Sequence, residues 1–214
     1  MTSTSVDLST TMLRITMFEP DFPPTLAEFS DIFTNVESLV FVGSVLATID
    51  PHNLGQRPEP DRLTGFRTSP GGPYLVSPNV LTSAQGVADS FRIVRVTYQS
   101  PVDVFLQAGG TVGTLSTIGG MAYLAMRGVL SLFKQAAEVR KAHSEASLFA
   151  SDTALQIEIN KRLRERLNVY PGSNLDRIDP DEFERRAIRK PLSERLDEAS
   201  KALIAAEAIT VEQA

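Results

Sequence analysis

Cysteine and tryptophan are both missing from this 214-residue chain. Without cysteine there is no disulfide framework, no thiolate metal site and no cysteine nucleophile. Without tryptophan, and with aromatics at 7% of residues, a surface built to stack sugars or bases is disfavoured. Histidine is scarce as well. His52 sits in a DPHN turn and His143 in KAHSEAS, and neither has a second histidine at HxxxH or HExxH spacing. Both are read as surface residues. His52, close to Asp50 in the long loop, is the one conceivable acid–base pair, and proximity in sequence does not make a catalytic one.

Other signatures are lacking too. There is no GxSxG elbow, SxxK motif or kinase signature. Asp176, Asp179, Asp181 and Glu182 cluster without the calcium-loop pattern, so they are read as solvated helix-capping acids. No cofactor, metal site or catalytic residue is expected, and the protein is read as a non-enzyme. Positive charge is in deficit, with 21 Lys and Arg against 26 Asp and Glu and a formal net charge of -5. That balance argues against a nucleic-acid partner. The basic runs NKRLRERL and FERRAIRK are interleaved with acids, the pattern of a solvated, salt-bridged helix face. The opening residues carry no basic segment followed by an apolar core, so no secretory signal is expected and the reading is cytoplasmic.

What is present is a mainly helical α+β pattern. Residues 12–18 (MLRITMF) place Leu13, Ile15 and Met17 at period two, which predicts a strand. Thr25 and Glu28 make a capping box, and the apolar spacing from Leu26 predicts a helix to about Ile49, where Asp50-Pro51 stops it. A Pro- and Gly-rich loop follows over 51–78, and 79–89 reads as a short helix or irregular chain. Residues 91–98 (FRIVRVTY) predict a second strand that pairs with the first, with the 25–49 helix packed on them. Ser100-Pro101-Val102-Asp103 reads as a helix start, with Ser100 as N-cap and Pro101 at the first helical position.

From there to residue 168 the expectation is one long helix, or two broken at a glycine pair or near Ser151-Asp152. Its first half is apolar; its second is amphipathic, with Leu148, Leu155, Ile159, Leu163 and Leu167 in a narrow stripe. A further helix is expected from Asp179, then a last one over 193–209, with 210–214 fraying. Three segments result: a strand–helix–loop–strand unit over 1–99, a long central helix or hairpin over 100–168, and a charged helical tail over 169–214.

The stretch 108–120 (AGGTVGTLSTIGG) admits three readings. As a dinucleotide loop it lacks the downstream acid and the succession of βα units, and it has no Gly-Lys-Ser/Thr ending. As a membrane span, 104–126 runs 23 residues without a charge and carries Gly109 and Gly113 as a GxxxG pair. Gln107 and several Thr and Ser residues lower its hydropathy. As a buried helix, its small residues let another backbone approach, at a cost of about 1 kcal/mol per glycine relative to alanine. The third reading is preferred. The expected contact face comprises Gly109, Gly113, Gly120, Leu115 and Ile118, with Val40 and Val45 of the 25–49 helix facing it. The function this implies is non-catalytic interaction or assembly, through self-association (a homo-oligomer) or a protein partner. The alternative is a membrane-associated protein that inserts 104–126.

Overall fold

A computed structural model describes residues 11–17, 25–49, 78–98, 101–108, 115–146, 152–167 and 190–213. In these residues the chain is mixed α+β and mainly helical, with five helices and a four-stranded sheet. The order is β1 (Thr11–Met17), α1 (Leu26–Ile49), α2 (Pro78–Ser90), β2 (Phe91–Tyr98), β3 (Val102–Ala108), α3 (Leu115–Ala146), α4 (Asp152–Arg166), α5 (Leu192–Ala205) and β4 (Ala206–Gln213). The strands lie in the order β2-β3-β1-β4, every pair antiparallel.

β1 forms where the period-two pattern puts it. Leu13, Ile15 and Met17 are buried in the core, while Arg14 points to the other face. Its partner is not β2, as the sequence suggested, but β3 on one side and β4 on the other. Residues 102–108 are therefore a strand, and the helix start expected at Ser100-Pro101 does not occur. Two things override that cap signal. VDVFLQA is rich in β-branched and aromatic side chains, and a central strand buried on both faces reads as a near-continuous apolar run rather than an alternating one. Pro101 sits just ahead of the strand, where its missing N–H removes no ladder bond. With a strand over 102–108, the segment 104–126 is not one continuous helix and cannot cross a membrane as one. The central region is two helices, α3 and α4, and α4 begins at Asp152 with an acid in its first turn. Ile159, Leu163 and Leu167 of the expected stripe are buried.

α1 starts on the capping box. Glu28 Oε2 accepts hydrogen bonds from Thr25 N and Oγ1 at 2.6 and 3.0 Å, and Thr25 Oγ1 accepts one from Glu28 N at 3.3 Å. From Ser38 to Ala47 every residue is buried. A helix apolar on all sides must be enclosed, and α1 is enclosed by α2, α3 and α5. One core joins these helices to the sheet through Leu13, Ile15, Val104, Leu106 and Ile209, so strands from all three sequence segments share it.

The last helix also departs from expectation. It stops at Ala205, and 206–213 is β4 paired with β1 instead of a fraying helix end. Arg140 of α3 explains the stop. Its Nη2 donates to Leu203 O at 2.8 Å and its Nη1 to Ala206 O at 3.1 Å, satisfying carbonyls the helix end leaves orphaned. Ile209, Thr210 and Val211 then favour the ladder. The expected helix from Asp179, the acidic cluster 176–182, most of the 51–78 loop and His52 lie outside the described residues.

Candidate functional site

The two most apolar helices cross at glycine. A Cβ added to Gly43 of α1 would stand 2.6 Å from Val129 Cγ2 and 2.9 Å from Val129 N, and one added to Gly128 of α3 would run into the Gly43 carbonyl. A close approach of small residues is thus made within the chain, between Gly43 and Gly128. A Cβ at Gly120 would meet nothing within 4 Å, so Gly120 is not a close-contact position. Gly109 and Gly113 lie outside the described residues, and Leu115 and Ile118 lie in the opening turns of α3. Val45 is wholly buried in the core. The strand that a dinucleotide loop needs does precede the glycines, yet β3 is antiparallel to both its neighbours, whereas that motif requires a parallel βαβ crossover.

Val40 leads elsewhere. It lines a cavity of about 360 Å³ between α1, the end of α2 and the β2–β3 hairpin. Phe33, Val36, Val40, Phe91, Ile93 and Leu106 supply apolar wall, and Glu37 and Asp89 supply two carboxylates. β2 is an edge strand, and Ile93, 45% exposed, forms the open lip. A bulge between Ile93 and Arg95 shifts its register, and Val94, which lies in the bulge, is also exposed.

Behind those carboxylates lies a buried relay. Arg195 of α5 is 0% exposed. Its Nη1 and Nη2 donate to Glu37 Oε1 at 3.1 and 3.2 Å, and Nη1 also reaches Ser38 Oγ at 3.1 Å. Nη2 donates to Gln85 Oε1 at 3.1 Å, and Gln85 Nε2 passes the chain on to Asp89 Oδ1 at 2.9 Å. The guanidinium rests 5.0 Å from the Phe41 ring centroid. Ser38 in turn donates to Glu198 at 2.5 Å, and Glu198 accepts from Lys190. Burying a guanidinium costs several kcal/mol unless it is paired and hydrogen-bonded, and here Glu37, Ser38 and Gln85 answer that cost. The result fixes both cavity carboxylates from behind with side chains that solvent does not reach.

A second charged cluster lies on the opposite face of the sheet. Asp103 accepts from Arg14 Nε and Nη2 at 3.0 and 2.8 Å and from Thr16 Oγ1 at 2.6 Å. Arg14 Nη1 also reaches Glu212 at 3.2 Å. The Arg14 hydrogen bonds hold the Asp103 carboxyl below the usual range, with Thr16 adding to the effect against the cost of burial. Arg95 stacks 3.9 Å over Phe105. Every charge here is spent within the sheet, so this cluster reads as a seal on its outer face.

The sequence reading missed the relay, although it left a trace. Leu192, Leu196, Ala199 and Leu203 make the apolar stripe of α5, and Arg195 falls on that stripe. A charge on a buried helical face calls for a partner. Glu37 likewise interrupts the apolar run of α1. Among the described residues no group of three or more His, Asp or Glu side chains converges as a metal site. His143 lies on α3, partly buried, with its Nε2 buried and unpaired. No family model, no curated protein and no solved structure matches the chain.

Proposed function

We propose that this is a non-catalytic cytoplasmic interaction protein that receives a segment of a protein partner, a second copy included, in the cavity between α1, α2 and β2. The observation that carries the reading is the relay. The core commits a fully buried arginine and a buried glutamine to orienting two carboxylates on a cavity wall. Supporting a site from behind is what fixes binding geometry. The apolar lip at Ile93, on the edge strand of the sheet among the described residues, fits a partner that adds backbone contacts there. The net charge of -5 supports a protein rather than a nucleic acid as that partner.

The test is photo-crosslinking in cells that express the protein, with a benzophenone amino acid at position 93 or, as control, at 157. Ile157 is 65% exposed on α4, away from the cavity lining. A discrete adduct at 93 and none at 157 supports the reading, and an adduct of twice the chain mass identifies self-association. The same adducts at both positions, or none at 93, would overturn it.

A second reading attaches to α1, a helix long and apolar enough to cross a membrane, with a mean hydropathy of 1.7 in its best window. Its side chains are also those of a core helix, 61% of that window being buried. Membrane association through α1 predicts a pellet that resists alkaline carbonate, whereas the interaction reading predicts recovery in the supernatant.

A further inference from the structure

Among the described residues the sheet ends in two unlike edges, β2 on one side and β4 on the other, each eight residues long. An edge strand offers its outward N–H and C=O groups to another chain. Every neighbouring pair is antiparallel, so direction alternates across the four strands and β2 runs opposite to β4. A second copy set beside β4 in the same orientation therefore presents its own β2 antiparallel to it, with both sets of helices on one side. The transverse rows of the sheet match across such a junction. The row through Leu106 and Leu13 ends in Ile93 at one edge and Val211 at the other, and the row through Val104 and Ile15 ends in Val96 and Ile209. Both lie on the face that the helices cover. On the outer face, the row through Gln107 and Met12 ends in Arg92 and Glu212. Continued without stagger, the rows set apolar end against apolar end and cation against anion. Arg92 and Ile93 are exposed, and Arg95 lies 3.9 Å over Phe105, turned over β3 and off the edge. Glu212 accepts from Arg14 and Thr210 on Oε1, which among the described residues leaves Oε2 for a second cation. Like edges fit worse. β2 on β2 gathers Arg92 and Arg95 of both copies, and β4 on β4 gathers Glu207 and Glu212, whereas like charges across strands repel.

We propose that copies of this chain associate head to tail, β4 of one adding antiparallel to β2 of the next. This rests on the partner-docking reading above and names the occupant: residues 206–213 of a second copy. Val211 of that copy lies against Ile93 at the open lip of the cavity and extends its apolar wall. Backbone hydrogen bonds supply the affinity, and the Arg92–Glu212 couple selects the unlike edge. Such an interface is heterologous, so association continues past two copies into a ring or a filament.

The test exploits a chain without cysteine. Full-length Ile93→Cys and Val211→Cys proteins are mixed under mild oxidation. Opposed residues of antiparallel strands stand ~4.5–5.5 Å apart at Cα, inside the ~4.4–6.8 Å that a disulfide spans. The mixture is expected to give a covalent heterodimer in excess of either homodimer. In sedimentation the parent should rise in mass with concentration, past a dimer. Arg92→Glu and Glu212→Arg, each checked for folding by circular dichroism, should each weaken association about tenfold as like charges replace a cross-strand ion pair. An equimolar mixture of the two should recover it. If a charge variant fails to fold, the disulfide arm decides alone. Ile93→Cys homodimer as the main product, or a folded Glu212→Arg that associates like the parent, would mean like-edge pairing and overturn the proposal. A parent that stays monomeric at every concentration overturns it too. Photo-crosslinking at position 93 then separates the two readings, because an adduct to a different protein leaves partner docking standing.

Discussion

A methyl group placed on Gly128 of α3 would collide with the carbonyl oxygen of Gly43 in α1. The two backbones touch where the most apolar helices of the chain cross, with Ala125 O and Val129 closing the contact around Gly43. Gly128→Ala must push the helices apart and is expected to cost about 3 kcal/mol in urea unfolding, with Gly43→Ala similar. Gly120→Ala meets open space and should gain up to about 1 kcal/mol from helix propensity alone. Equal effects at 120 and 128 would refute the crossing.

The Arg195–Glu37 pair is asymmetric, and so are its expected mutants. Arg195 is wholly buried, whereas the Glu37 side chain is 39% exposed. Glu37→Met strands a guanidinium in the core and should cost about 3–5 kcal/mol. Arg195→Met leaves Glu37 able to rehydrate through the cavity mouth and should cost less, about 1–2 kcal/mol. Denaturant melts of both variants decide the order.

Asp103 makes a pH prediction. Its pKa is depressed by Arg14, so its contribution to stability is present above the ordinary carboxylate range and is lost as pH falls through the folded-state value. Asp103→Asn should therefore be clearly less stable than the parent at pH 7, and the gap should close in strong acid. A gap that stays constant between neutral pH and acid would contradict the assignment.

Arg140 secures the switch from α5 to β4. Arg140→Met releases Leu203 O and Ala206 O and should cost about 1–3 kcal/mol. Hydrogen exchange should accelerate first at Ile209 and Val211 of β4, ahead of Leu13 and Ile15 in central β1.

Local signals in the sequence were dependable where one element decided its own structure. The Thr25–Glu28 box, the alternation of β1 and the stop of α1 at Ile49 all follow from nearest neighbours. They misled where a distant strand decided the outcome. Ser-Pro-Val-Asp carries a valid helix-start pattern, yet β1 and β2 claim the residues after it for a ladder. Alanines 205, 206 and 208 favour helix, yet Arg140, more than sixty residues earlier, ends it. The candidate site was legible only in fragments, as Val40, as Glu37 within an apolar run and as Arg195 on an apolar stripe. Nothing in the spacing of α1, α2 and α5 announces that these three share one buried network.

The central claim is that this network serves the cavity and not merely the core. Gln85→Met removes the link from Arg195 to Asp89 while keeping the Arg195–Glu37 pair and the helix. The deciding measurement is crosslink yield from position 93 in this variant against the parent, at matched folding by circular dichroism. The account predicts that the variant loses most of the adduct. An undiminished adduct from a folded Gln85→Met protein would contradict it.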